Sequence, residues 1–307
     1  MLLRGWNLQN RAFITRAAGS SNADLRQPLL EAGLAMADEA AARDPKLAGI
    51  YELRGTLLHQ LALQPGTPVD SVRGGLAIAE AELRRAVELD PQSQSAWRRL
   101  ADVLLHGTER YGEAKQAAER AYRLDPYAAE ANALIYLLFT ASLEIGQDDQ
   151  AEGWCLEGRR RFPSEPPFLY CLMALHAWAD AIQPDPPLLQ RAMRSFQVVQ
   201  EQIQPQMIAR FEAMLAAAYA RAGQPDSARA VLRRLEDVAG DPGLLWLRAA
   251  GYAALHEDSI ATDLLEQYIA RGGWGGQRVA KTRPFRHLRE RAATRRVVTG
   301  ESGRTPR

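Results

Sequence analysis

The run Ala114-Lys115-Gln116-Ala117-Ala118-Glu119-Arg120-Ala121-Tyr122-Arg123-Leu124-Asp125-Pro126 decides the fold, because its spacing returns three more times. Ala114, Ala118, Ala121 and Pro126 correspond to Gly33, Ala37, Ala40 and Pro45, to Ala79, Leu83, Ala86 and Pro91, and to Ala151, Cys155, Gly158 and Pro163. The first three positions stand at i, i+4 and i+7, one stripe of an α-helix, and small side chains there let two helix backbones approach closely. Proline cannot continue a helix and disfavours helical geometry in the residue before it. Each unit is therefore cut at Asp44-Pro45, Asp90-Pro91, Asp125-Pro126 or Phe162-Pro163.

The prolines lie 46, 35 and 37 residues apart. The long first interval contains the turn-rich run Gln64-Pro65-Gly66-Thr67-Pro68-Val69-Asp70, which accounts for the excess over a period of about 34 residues. Upstream of two tails lies the other half of a pattern: Trp97, Leu100, Ala101 and Leu104 in one, Tyr51, Arg54, Gly55 and Leu58 in the other. These residues resemble tetratricopeptide repeats. The resemblance implies an all-α, right-handed superhelical solenoid of about seven antiparallel helix pairs with a C-terminal capping helix.

The composition agrees: 307 residues, 47% hydrophobic and 24% charged, with few aromatics and much alanine, suit helix-on-helix packing. No stretch of about 18 uncharged apolar residues would span a membrane, and Arg4, Arg11 and Arg16 interrupt the start where a signal peptide would be apolar. The expected place is the cytoplasm, or outside it if the chain is part of a longer membrane-anchored one. Cys155 takes the apolar position of a repeat tail and Cys171 falls in the next helix. Both read as buried small hydrophobes, and a disulfide is open to them only because neighbouring helices bring them close.

The pattern predicts helices at 2–18 with 24–43, 47–63 with 73–89, 93–106 with 111–123, 128–145 with 149–161, 166–182 with 186–202, 206–222 with 226–238, and 242–255 with 259–270. These make a repeat array over residues 1–270. A Gly-rich linker (271–283), a basic C-terminal helix (284–298, its helical part expected over 284–297) and a disordered tail (299–307) complete the expected organisation. Leu3-Arg4-Gly5 parallels Leu53-Arg54-Gly55, and if Gly5 is the small residue of a leading helix, that helix begins before Met1. The chain then starts inside a repeat. Leu3-Arg4-Gly5-Trp6, the stretch 154–163 and the stretch 222–232 resemble the repeat region C-terminal to bacterial eukaryotic-like serine/threonine kinases. That resemblance implies the docking or sensory part of a kinase-like regulator, bacterial and acting in signalling.

The kinase chemistry is missing: no strand lysine, no H-R-D and no D-F-G occur, and the glycines from 272 to 276 follow no predicted strand. His59, His106, His176, His256 and His287 are dispersed in sequence, no cysteine cluster exists, and no G-x-S-x-G is found. The reading is therefore of a non-enzyme with no catalytic residues, no metal and no cofactor.

Binding is left to surfaces. In stacked hairpins the leading helices line a concave groove, and the register gives Glu52, Thr56, His59, Arg98, Asp102, His106, Leu137, Thr140, Tyr170 and Trp178 as its lining. The set drifts from charged to aromatic, which suits a protein or peptide partner and gives a protein–protein interaction scaffold. The second unusual feature is the C-terminus. Residues 271–307 carry eleven Arg or Lys against two Glu, a local charge of +9 in a chain whose total is +1. Either this segment reaches nucleic acid or another acidic ligand, or it docks on its own acidic array through Phe285, Leu288, Ala292, Val297 and Val298. Nucleic acid is the weaker choice, because interleaved aromatics and a recognisable module are absent.

Overall fold

In a computed structural model, residues 2, 5–7, 9, 23–64, 69–199, 205–238, 241–271 and 282–290 are described. Among them the chain is all-helical, with no strand. The helices are α1 (Ala23–Arg43), α2 (Ala48–Ala62), α3 (Val69–Leu89), α4 (Gln94–His106), α5 (Tyr111–Leu124), α6 (Ala131–Glu144), α7 (Asp148–Arg161), α8 (Pro166–Trp178), α9 (Pro186–Val199), α10 (Pro205–Arg221), α11 (Pro225–Arg234), α12 (Pro242–Ala254) and α13 (Asp258–Ala270), followed by a 3-10 helix at Arg283–Glu290. Two compact units divide the chain, one over Met1–Ala141 and one over Ser142–Arg307. Most of the first helix expected at 2–18, the linker at 272–281 and everything after 290 lie outside the described residues.

The repeat tails end as their chemistry dictates. In unit 1 the Asp44 Oδ1 accepts from the amide of Lys46 at 3.1 Å, Asp90 Oδ1 from Gln92 at 3.0 Å, and Asp125 Oδ1 from Tyr127 at 2.9 Å. Each Asp-Pro pair thus closes the same side-chain turn after its helix. The next leading helix ties back to it: Tyr51 Oη donates to the Pro45 carbonyl at 2.8 Å, and Trp97 Nε1 to that of Pro91 at 3.1 Å. The stripe positions Ala37, Ala79, Leu83, Ala86, Ala114, Ala118 and Ala121 are buried. Close approach is real at Gly55, where an added Cβ would stand 2.6 Å from Leu83 Cγ and 3.0 Å from the Ala79 carbonyl oxygen.

Unit 2 repeats the logic with Ala151 and Cys155 buried, and with Gly158 so close to Phe168 that a Cβ would lie 2.0 Å from the ring. Cys155 and Cys171 form a disulfide between α7 and α8, their Cα atoms 5.7 Å apart. The cysteines are therefore not two separate buried thiols as the sequence suggested. The closing helix of one hairpin and the leading helix of the next bring them to bonding distance.

Among the described residues, two helices end four residues short of expectation, one of them the span predicted at 226–238, which stops at Arg234. The span predicted at 166–182 ends at Trp178, because Pro184, Pro186 and Pro187 deprive the following residues of helical hydrogen bonds. The segment after it is held instead by Arg221 of α10, which donates to the carbonyls of His176 at 2.8 Å and Ala179 at 2.6 Å. Asp148, the first residue of α7, adds an acceptor for the Ala181 amide at 2.9 Å. A non-helical strap over residues 179–185 results.

Candidate functional site

Five of the residues expected to line a groove meet in unit 1, on α2 and α4. Glu52 is buried and accepts from Arg99 Nε at 3.1 Å, while the Arg99 guanidinium lies 5.0 Å from the centre of the Trp6 ring. Asp102 Oδ1 stands 2.7 Å from His106 Nδ1, and its Oδ2 stands 3.6 Å from His59 Nδ1. Burial opposes the charge on Asp102, but the His106 hydrogen bond, with His59 and Arg98 nearby, outweighs it and holds the carboxyl well below the usual carboxylate range. Arg98 is buried and pairs with Glu130. Charges here are matched within the unit. Thr56 and Thr140 spend their hydroxyls on their own helices, donating to the carbonyls of Glu52 at 2.7 Å and Tyr136 at 2.9 Å, and Leu137 is buried.

Tyr170 and Trp178 belong to unit 2, where they open an aromatic row. The ring centres are 6.1 Å apart; Trp178 meets Trp246 of α12 edge to face at 5.5 Å, and Trp246 meets Phe285 edge to face at 5.4 Å. Phe285 comes from the C-terminal 3-10 helix and is 1% exposed. Leu288, one turn on, is equally buried. The expected α-helix from 284 is thus a 3-10 helix over 283–290, and two of the residues proposed for docking, Phe285 and Leu288, do dock on the array. Ala292, Val297 and Val298 lie outside the described residues.

Two residues before Phe285, Arg283 enters a polar socket. Its Nη1 donates to the Leu143 carbonyl at 2.9 Å and to Asp148 Oδ1, and its Nη2 donates to Asp148 Oδ2 at 3.2 Å and Asp180 Oδ2 at 2.7 Å. The Arg283 and Asp148 side chains are only 4% and 5% exposed, so this is a desolvated, two-pronged ion pair. Burial alone would raise the Asp148 carboxyl, yet the bonds from Arg283 and from the Ala181 amide outweigh it and hold the carboxyl low. Arg286 adds a bond from its guanidinium to the Glu144 carbonyl at 3.0 Å.

Register reasoning missed Asp148, Asp180, Trp246 and Arg283. The repeat pattern fades after Pro167, so nothing marked α12 as a groove helix. Asp180 stands on a strap that the sequence read as helix. A legible signal was the Arg283-Pro284-Phe285 triplet, basic and aromatic together at the head of a basic segment.

No protein-family model matches the sequence, and no curated protein matches it. Solved structures do resemble it. PilW, a widely conserved type IV pilus biogenesis factor, superposes with a TM-score of 0.53 at 16% identity, over 74% of this chain and 93% of PilW. A chain of the Cut9–Hcn1 hetero-tetramer of APC/C superposes with a TM-score of 0.54 at 15% identity, over 98% of this chain and 54% of that one. At such identities the likeness is one of fold, and the fold is that of stacked tetratricopeptide-type helical hairpins.

Proposed function

We propose that this chain is a non-catalytic protein-interaction scaffold whose unit 2 captures a short peptide carrying an arginine two residues before an aromatic. The observation that supports this reading is the occupant already in place. Arg283 and Phe285 sit in the acidic socket of Asp148 and Asp180 and on the edge of Trp246, as the side chains of a foreign peptide would. Buried aromatic and arginine anchors of this kind carry most of the binding energy in protein interfaces. A partner with the same spacing would compete for the same face, which suits the docking part of a larger regulator such as the kinase-like proteins the repeats resemble. The charged cluster of unit 1 is paired within itself and serves that unit's helix packing.

The alternative, nucleic-acid or acidic-ligand binding through the basic segment, has less in its favour. Arg283 turns toward its own unit and spends its donors on it, and Arg286 gives one bond to the Glu144 carbonyl. To test the peptide reading, a column carrying the peptide Thr-Arg-Pro-Phe-Arg-His-Leu-Arg-Glu is loaded with Phe285→Ala chain, whose own segment is loosened. Retention is expected, and adding Trp178→Ala, Trp246→Ala and Asp180→Asn should abolish it. Equal retention of the combined variant would overturn the assignment.

A further inference from the structure

We infer that His256, Asp258 and His287 form a binding site for a first-row divalent transition metal, zinc fitting best, that pins the docked C-terminal segment to the last hairpin. The three residues come from different places: the α12–α13 turn, the first residue of α13, and the 3-10 helix. His287 Nε2 stands 3.3 Å from Asp258 Oδ1, and one ligand atom from each residue lies within 4.8 Å of the other two. A tetrahedral site with bonds of about 2.0–2.1 Å has edges of roughly 3.3–3.4 Å, so one edge is already formed. The two imidazoles stand at 74° to each other with centres 5.6 Å apart, a separation that small side-chain rotations close. Two imidazoles and a carboxylate suit zinc, copper or nickel, whereas magnesium and calcium prefer all-oxygen shells.

The backbone supplies a second, independent observation. Three hairpin turns in unit 2 share one hydrogen-bonded closure. In each, the third amide past the helix bonds five residues back: Gln147 to Ser142 at 2.9 Å, Gln224 to Tyr219 at 2.9 Å, and Glu257 to Tyr252 at 3.0 Å. This closure needs a left-handed residue, and glycine normally fills it. Gly146 (φ 82°) and Gly223 (φ 72°) do so, but the third turn places His256 there, at φ 58°. Glu109 in the α4–α5 turn is also left-handed, at φ 55°, so the conformation alone does not call for a ligand; at His256 it sets an imidazole within reach of a carboxylate and a second imidazole. All five histidines of the chain were dispersed in sequence, and only folding brings this pair together.

The site does not depend on the peptide-binding reading, and neither does its test. Untagged full-length chain, stripped of metal, is titrated with Co2+ and then with Zn2+. One Co2+ per chain with visible d–d bands is expected, and Zn2+ should bleach them. His256→Gly, which installs the glycine of the sister turns and so keeps the fold, and His287→Ala should each lose the bands. Each should also weaken Zn2+ by roughly tenfold or more, since even outer-shell changes cost about that much. A variant with both His59→Ala and His106→Ala should bind as the unaltered chain does. Thermal melts confirm that every variant is folded. Bands that persist in His256→Gly or His287→Ala, or unaltered chain that binds no Co2+, would overturn the site and leave a simple His287–Asp258 ion pair.

Discussion

Arg283 of the C-terminal segment is clamped by Asp148, a residue 135 positions earlier, in a pair that is almost wholly buried. Asp148 Oδ2 also accepts from the Ala181 amide, a bond independent of the arginine that helps hold the carboxylate in place. Losing one member of a buried ion pair costs about 3–5 kcal/mol, because the other charge stays desolvated. Detachment of the short segment relieves that cost, against the loss of the Phe285 and Leu288 burial. Arg283→Met should release residues 282–290 while the helices stay folded. Limited proteolysis at Arg286 reads the release, and circular dichroism should be unchanged.

The same pair makes docking acid-sensitive. The Asp148 carboxyl is held below its ordinary value of about 3.9, so its contribution is fully present above that pH and is lost as pH falls through the depressed folded value. In metal-free chain, protection of residues 282–290 from proteolysis should therefore be constant from neutral pH down to about pH 4 and fall below it. An acid-active protease makes the measurement, and Arg283→Met, already unprotected, should show no such step.

Packing gives a sharper test of the repeat register. Ala86 and Ala121 are fully buried at equivalent stripe positions. Leucine at either would overpack a helix contact at about 1–3 kcal/mol. Each substitution should lower the midpoint of denaturant unfolding. An unchanged midpoint in both would mean that these alanines do not sit at helix contacts.

Those alanines show how much of the fold was written in the chain. Small residues at i, i+4 and i+7 and a proline at fixed distance have a local cause and a local effect, so most helices begin and end close to where the pattern places them. Asp44, Asp90 and Asp125 make their turns with amides two residues away, which is also local chemistry. What the pattern could not show was tertiary. Trp246 lies in a helix without the leading-position signature. The strap at 179–185 depends on Arg221, more than 35 residues later. Phe285 and Leu288 were legible as an apolar stripe, but their socket was not.

The disulfide was the other unread contact. Cys155 and Cys171 close a short loop with a sequence separation of 16, for which the chain-entropy account gives about 3 kcal/mol. Reduction should lower the melting temperature of the chain. The variant with Cys155→Ala and Cys171→Ala should melt near the reduced protein and be indifferent to reductant.

The central claim is that unit 2 is a peptide-binding face occupied by the chain's own segment, and cis competition tests it most directly. A tethered segment acts at an effective concentration in the millimolar range, so it masks the face against a free copy of itself. Fluorescence anisotropy of a labelled peptide spanning residues 282–290 is measured with unaltered chain and with Phe285→Ala. The account predicts binding to Phe285→Ala that is tighter by roughly tenfold or more than binding to the unaltered chain. Equal affinity for both, or no binding to Phe285→Ala, would contradict it.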